Sequence, residues 1–295
     1  MTMTRTIKVC AGIGDNIWLI QKLLSSNESF KFKLAGDTPR RGKQIFDLTP
    51  DLVADAQYDD SFTSLEPIKE GVQNSKDRWY DVYEDDIYLS ANTHLENSYR
   101  LEWFMPDLDT MFRVPWKTEK WREEAEEFLP NGRPYVGLYG SAYSTARHWE
   151  FWGIAQWANL AASVRQVGDP IFVVIGASFD IDLARDLGTH LANHSIKQMS
   201  LIGKPLGLII EVMKRLSYFF AFPSGLGILS TSVRCPTMMF YPPHLEPMIN
   251  AWAEPEAIMS GLYTGVPFIP PEEALKKALS KGSLKERLDA HPVSP

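Results

Sequence analysis

In the second half of the chain, runs that are apolar at nearly every position alternate with runs of helical spacing. The apolar runs are YVGLYG (Tyr135–Gly140), PIFVVIGAS (Pro170–Ser178), MSLIG (Met199–Gly203), YFFAF (Tyr218–Phe222) and PTMMFYP (Pro236–Pro242). A strand with one wet face alternates polar and apolar residues. These do not, so both faces of each are expected to be covered. Between them, EFWGIAQWANLAASVRQV (Glu150–Val167) puts Trp152, Ala155, Leu160 and Val164 near one helical stripe. DIDLARDLGTHLA (Asp180–Ala192), LGLIIEVMKRL (Leu206–Leu216) and SGLGILSTSV (Ser224–Val233) also read as helices. Strand and helix in alternation predict a parallel sheet with helices on each side.

The first half opens the same way, with a strand over Thr6–Ala11, a helix over Asn16–Leu24 and a strand over Phe30–Leu34. Residues 36–115, rich in Asp, Tyr and Pro, break the pattern, and no element is assigned there. KTEKWREEAEEFLPNGRP (Lys117–Pro134) reads as a charged helix running into a Pro-Asn-Gly-Arg-Pro linker. PPEEALKKALSKGSLKERLDA (Pro270–Ala290) reads as an amphipathic helical segment. The expectation is an α/β chain of two stacked domains, residues 1–125 and 133–260, followed by a helical tail over 261–295. Ligands of such sheets bind beyond the carboxyl ends of the strands, so a cleft between two domains is the expected site.

Composition narrows this picture. With 295 residues, 44% hydrophobic and 23% charged, the chain can bury a sizeable core. Its formal net charge of −7 repels polyanions at long range and disfavours nucleic acid as a partner. Cys10 and Cys235 lie in apolar strand-like runs and read as buried reduced thiols. Leu206–Phe222 is the most apolar region, but Glu211, Lys214 and Arg215 interrupt it, so no membrane span is expected. The amino terminus lacks a signal-peptide pattern, and a cytoplasmic protein is expected. Nine tryptophans are many; they suit core packing, and aromatic faces also serve sugar-handling clefts.

Three strand-to-helix loops could carry chemistry. In the first, Gly12-Ile13-Gly14-Asp15, glycines permit a tight turn and a close ligand approach. Asp15 suits either a helix N-cap or a general base at the ligand edge. A dinucleotide fingerprint needs a third glycine where Ile17 stands, which argues against a Rossmann oxidoreductase. The second loop, GSAYSTARHWEFW (Gly140–Trp152), offers Ser141, Ser144 and Thr145 hydroxyls, the Arg147 cation and His148. Hydroxyls, helix-start amides and a guanidinium fork together suit a diphosphate, and a plain polar loop reads equally well. In the third, FPSGLGILS (Phe222–Ser230), Ser224 and Gly225 present another amide-rich anion site or simple punctuation.

Taken in order, these residues resemble the family-nine glycosyltransferases, of the ADP-heptose:lipopolysaccharide heptosyltransferase type. That family opens with a strand and G-x-G-D before a helix, as Gly12-Ile13-Gly14-Asp15 does here. Its second domain opens with a Ser/Thr loop and Lys-x-Trp; STARHWEFW is similar, with Arg147 at the lysine position and Trp149 at the tryptophan. An apolar strand ending in Gly176 with Asp180 beyond it, the stretch Leu201-Ile202-Gly203-Lys204-Pro205-Leu206, and Pro223-Ser224-Gly225-Leu226 follow in the family's order. The chain departs from the pattern where Pro223 stands for an Asp, Ile228 for a His and Leu208 for a Glu.

The resemblance implies the GT-B architecture, two Rossmann-like domains with parallel sheets facing a central cleft. It implies an inverting, metal-independent glycosyl transfer from a nucleotide-diphosphate sugar to an acceptor hydroxyl. The sugar nucleotide is a co-substrate, with no further cofactor. Asp15 takes the role of catalytic base. Gly12, Gly14, Ser141, Ser144, Thr145, Arg147, His148, Gly176, Gly203, Leu206, Ser224, Gly225 and Leu226 take donor or phosphate contacts. Two alternatives remain open. One is transfer to a modified base in DNA, with Arg40, Arg41 and Lys43 lining a groove. The other is an inactive binding protein on the same fold, which the departures at Pro223, Leu208 and Ile228 favour.

Overall fold

The computed structural model describes residues 5–10, 13–24, 30–34, 44–49, 56–58, 86–90, 114–140, 152–222, 224–241, 259, 263–281 and 283–290. The chain divides into two units, Met1–Lys117 and Thr118–Pro295.

In the first unit, β1 (Arg5–Cys10) leads into α1 (Ile13–Leu23), followed by β2 (Phe30–Leu34), β3 (Ala56–Tyr58) and β4 (Asp86–Ser90). All four strands are parallel, in the order β3-β2-β1-β4. β1 sits inside the sheet, with Arg5 opposite Phe30 on one side and Thr6 opposite Asp86 on the other. α1 buries Ile17, Ile20 and Gln21 along one helical stripe, with Asn16 beside them. It starts at Ile13 rather than at the expected Asn16, so Gly14 and Asp15 belong to its first turn. The free amide groups of a first turn favour a nearby carboxylate, which offsets the poor helix propensity of glycine there.

The second unit is built on six parallel strands: β5 (Tyr135–Tyr139), β6 (Ile171–Gly176), β7 (Gln198–Ile202), β8 (Tyr218–Ala221), β9 (Thr237–Tyr241) and β10 (Tyr263–Pro267). Their order is β10-β9-β8-β5-β6-β7. The helices are α2 (Arg122–Phe128), α3 (Ile154–Val167), α4 (Ile181–Asn193), α5 (Leu206–Met213), α6 (Gly225–Ser232), α7 (Pro271–Ser280) and α8 (Leu284–Asp289).

The strands explain their own lack of alternation. Val136, Leu138, Phe172, Val174, Tyr218, Phe220, Met238, Phe240 and Val266 join one core with Trp157, Leu160, Val164, Leu187, Leu191, Ala274 and Leu284 of α3, α4, α7 and α8. The residues between them, such as Tyr139, Val173, Ile175, Phe219, Ala221 and Met239, are also buried but lie outside that core. They face the layer in which α5 packs against α2 and α6. Both faces of the sheet are therefore covered, as the continuous apolar runs predicted.

Three expectations are corrected. The segment 117–134 is not a linker, because the division falls at Lys117 and α2 packs on α5 within the second unit. A Cβ at Gly207 would lie 2.2 Å from the Trp121 ring, so the chain is seated closely there. Residues 263–267 form edge strand β10 beside β9 rather than the start of a helical tail. An edge position tolerates the Gly and Pro of YTGVP, which conceal the strand from periodicity. Finally, α3 starts at Ile154, and its buried stripe is Trp157, Leu160, Ala161 and Val164, while Ala155 is exposed.

Candidate functional site

The strand order of the second unit contains a switch point between two neighbouring strands. β5 and β8 are neighbours, and the chain runs from β5 through β6 to β7 on one side and from β8 through β9 to β10 on the other. In sheets of this order, the helices that follow the two central strands lie on opposite faces, and ligands commonly bind outside the carboxyl ends of those strands. Two expected site segments follow these two strands: Gly140 with the 141–151 loop after β5, and Ser224-Gly225 after β8.

After β5, Gly140 is buried against α3. A Cβ there would lie 2.7 Å from Trp157 Nε1, so no other residue fits without displacing the indole. Trp157 belongs to an aromatic cluster with Trp152 (ring centroids 5.6 Å apart), Phe222 (5.2 Å) and Phe240 (5.6 Å). Trp152 and Trp157 are core residues, which settles for these two the choice between packing and a sugar-facing role.

After β8, Ser224 occupies the N-cap of α6 in extended conformation, and its carbonyl accepts the Ile228 N–H at 2.9 Å. Its hydroxyl makes no capping bond to the helix. Ser224 Oγ is buried and has no hydrogen-bond partner among the described residues. The other hydroxyls of α6 are satisfied: Ser230 donates to the Gly227 carbonyl at 2.6 Å, Thr231 to Ile228 at 2.7 Å and Ser232 to Leu229 at 2.7 Å. A Cβ at Gly227 would lie 2.6 Å from the Phe222 carbonyl oxygen, so α6 is pressed against the strand that feeds it.

The remaining expected residues divide by position. Gly176 ends β6, and Gly203, at φ +66°, donates its N–H to the Gly176 carbonyl at 3.0 Å. Asp180 is buried and accepts the Ala177 N–H on Oδ2 at 2.7 Å. These residues close the corner where β6 and β7 end. Leu206 and Leu226 are 5% and 6% exposed, so only their backbones could meet a ligand. Leu208 and Ile228, where the family carries Glu and His, are also core residues. Gly14 is buried in α1. Gly12, Ser141, Ser144, Thr145, Arg147, His148 and Pro223 lie outside the described residues, as does the side chain of Asp15.

One polar cluster escaped the sequence reading. Glu211, 6% exposed on α5, accepts hydrogen bonds from Thr118 Oγ1 and, at 2.5 Å, from Lys214 Nζ. Lys214 follows Glu211 by three residues, the spacing of a helical ion pair, but nothing in the sequence places Thr118 beside them. Cys235 is a free buried thiol, pushed up to about 12 by its burial, and no thiolate forms there near neutral pH. Among the described residues no three His, Cys, Asp or Glu side chains come together as metal ligands would. No helix among them is long and apolar enough to cross a membrane.

No protein-family model and no curated protein sequence matches the chain. Solved structures do. A family 9 glycosyl transferase from Veillonella parvula superposes with a TM-score of 0.60 at 14% identity, covering 97% of this chain and 99% of its own. The ADP-heptose LPS heptosyltransferase II of E. coli gives 0.56 at 12% identity, over 97% of this chain and 100% of its own. The fold is GT-B. It serves more than one chemistry: the UDP-GlcNAc 2-epimerase of Neisseria meningitidis, solved with UDP-GlcNAc, gives 0.50 at 11% identity over 97% and 94% of the two chains. At such identities GT-B describes the architecture, and function has to be argued from the site.

Proposed function

We propose that this protein is a glycosyltransferase whose second unit holds a nucleotide-diphosphate sugar at the carboxyl ends of β5 and β8. One observation carries the reading: a buried Ser224 hydroxyl with no hydrogen-bond partner among the described residues, at the start of α6 beside the central strand pair of a Rossmann-ordered sheet. A buried hydroxyl without a partner costs about 1–3 kcal/mol, and a diphosphate oxygen would relieve it. The first-turn amides of α6 point toward the same ligand and carry its partial positive end.

The chemistry follows from charge. As the sugar–phosphate bond breaks, negative charge gathers on the departing diphosphate. The α6 amides, Ser224 and the Arg147 guanidinium would stabilise it with no metal required. The acceptor alcohol holds its proton far above neutral pH and attacks poorly until a base begins to remove it. Asp15, in the first turn of α1, is the proposed base. Attack from the face opposite the leaving group inverts the anomeric centre. In Asp15→Asn, turnover should fall at least about 100-fold while donor affinity stays near that of the wild type, the signature of a group acting in the transition state.

A second reading, epimerisation or hydrolysis of the sugar nucleotide, is favoured by the epimerase that shares the fold. Incubation with ADP-, UDP-, GDP- and CDP-linked sugars and a panel of acceptor glycans separates the two. Acceptor-dependent release of nucleoside diphosphate with an inverted glycoside supports transfer. Release without acceptor, or an epimerised sugar nucleotide, supports the second reading. The ADP-heptose named for the E. coli neighbour is the first donor to test, although Leu208 and Ile228 remove two polar groups of that family's donor site.

A further inference from the structure

We propose that Trp157 is a positioning residue for the nucleotide, setting the separation between the carboxyl ends of β5 and β8. The inference rests on the donor-site reading above and adds to it a residue that contacts no ligand. Trp157 stands in the first turn of α3 and is 0% exposed. Its indole edge lies against Gly140 at the end of β5, with Nε1 2.7 Å, and Cδ1 and Cε2 each 3.1 Å, from where a Cβ would be. The same ring meets Phe222, which follows β8, edge-on at 65° and a centroid distance of 5.2 Å. It meets Phe240 of β9 at 83° and 5.6 Å. One rigid side chain thus touches three adjacent strand ends.

Packing holds the indole there. Among the described residues, Trp157 Nε1 has no hydrogen-bond partner and the ring's contacts are apolar and aromatic. The ring is wedged on one side by a glycine that admits no side chain and on the others by aromatic rings. A wedge of this kind transmits displacement, because a close-packed interior has little slack. If the indole shifts, Gly140 and Phe222 shift with it, and Ser224 lies two residues beyond Phe222. The groups proposed to hold the diphosphate would then lose their mutual spacing, although none of them had been altered.

The test is a compensating pair. Trp157→Leu keeps an apolar side chain but removes Nε1 and Cε2, two of the three indole atoms that face Gly140. Gly140→Ala pushes a methyl into that indole. Each single variant and the double variant are titrated calorimetrically with ADP, UDP, GDP and CDP, and their thermal unfolding is followed in parallel. Each single change should weaken the nucleotide that wild type binds by at least about tenfold, since misplacement by a fraction of an ångström costs that much at a preorganised site. In the double variant the methyl introduced at position 140 occupies space that the lost Nε1 edge at position 157 vacates. Affinity should then return to within about threefold of wild type, a coupling expected only of residues in contact. A purely structural role would lower unfolding temperatures and leave affinity unchanged.

Singles that bind like wild type, or a double whose loss is the sum of the two singles, overturn the inference while leaving the donor site standing. A wild-type protein that binds none of the four nucleotides overturns the donor reading itself. Should Gly140→Ala fail to fold, Trp157→Leu decides alone: reduced affinity with cooperative unfolding supports the positioning role, and unchanged affinity removes it.

Discussion

The proposed donor site rests on Ser224, whose hydroxyl the proposed ligand would pair. An N-cap serine ordinarily bonds to its helix, and replacing one by alanine costs about 0.5–2 kcal/mol. Here the hydroxyl makes no such bond and is buried without a partner among the described residues. Ser224→Ala should therefore leave the free protein as stable as wild type or more so, by up to about 1–3 kcal/mol, while weakening nucleotide binding roughly tenfold or more. Urea denaturation and calorimetry of the same variant check both signs; a destabilised protein with unchanged affinity would mark Ser224 as a plain cap. Glu211 provides the contrast. Its carboxylate is buried and engaged with Thr118 and Lys214, a partnership that holds the unit together and asks for no ligand. Lys214 is exposed and can turn to water, so Glu211→Leu leaves only the buried Thr118 hydroxyl without its acceptor and should cost about 1–3 kcal/mol.

Helix α6 sets a sharper test of packing among the elements. Gly227 lies where any Cβ would meet a backbone oxygen at 2.6 Å, and backbone cannot rotate away as a side chain can. Gly227→Ala gains helix propensity but should lose about 1–3 kcal/mol of stability to overpacking, read as a lower denaturation midpoint. The sequence disclosed most elements of the second unit because a strand buried on both faces has a distinctive composition. It did not disclose β10, whose Gly265 and Pro267 are acceptable only at an edge. It extended α3 too far toward Glu150, because Trp152 matches the helical stripe in spacing; in the structure Trp152 is buried ahead of the helix, 4.1 Å from Phe240 between centroids. Helical period cannot distinguish a buried residue within a turn from one just before it. The glycines at the strand ends were legible for the same reason the strands were: each ends an apolar run. The wedge of Trp157 was not, since its partners Gly140, Phe222 and Phe240 come from three different strand ends.

Across the whole molecule, buried ionisable groups set the upper pH limit. Burial raises Tyr218, Tyr263 and Cys235 above their ordinary values of 10.0, 10.0 and 9.0, because each would carry its charge in an apolar interior. The native state keeps these protons where the unfolded chain releases them. Their contribution to stability is complete below the ordinary values and drains away as pH rises through and above them. The unfolding temperature should hold steady near neutrality and fall as pH climbs past about 9, with alkylation of Cys235 accelerating only as the protein opens. The GT-B architecture is shared with an ADP-heptose heptosyltransferase and a UDP-GlcNAc 2-epimerase, so the account stands or falls on where a nucleotide sits. Hydrogen–deuterium exchange of the full chain, with and without saturating ADP, UDP, GDP or CDP, measures that directly. Slowed exchange at the first-turn amides of α6, residues 225–227, and at Gly140 is the expected result. A bound nucleotide that leaves those amides unchanged and protects the opposite, amino-terminal end of the sheet, around residues 130–134 and 214–217, would contradict the account.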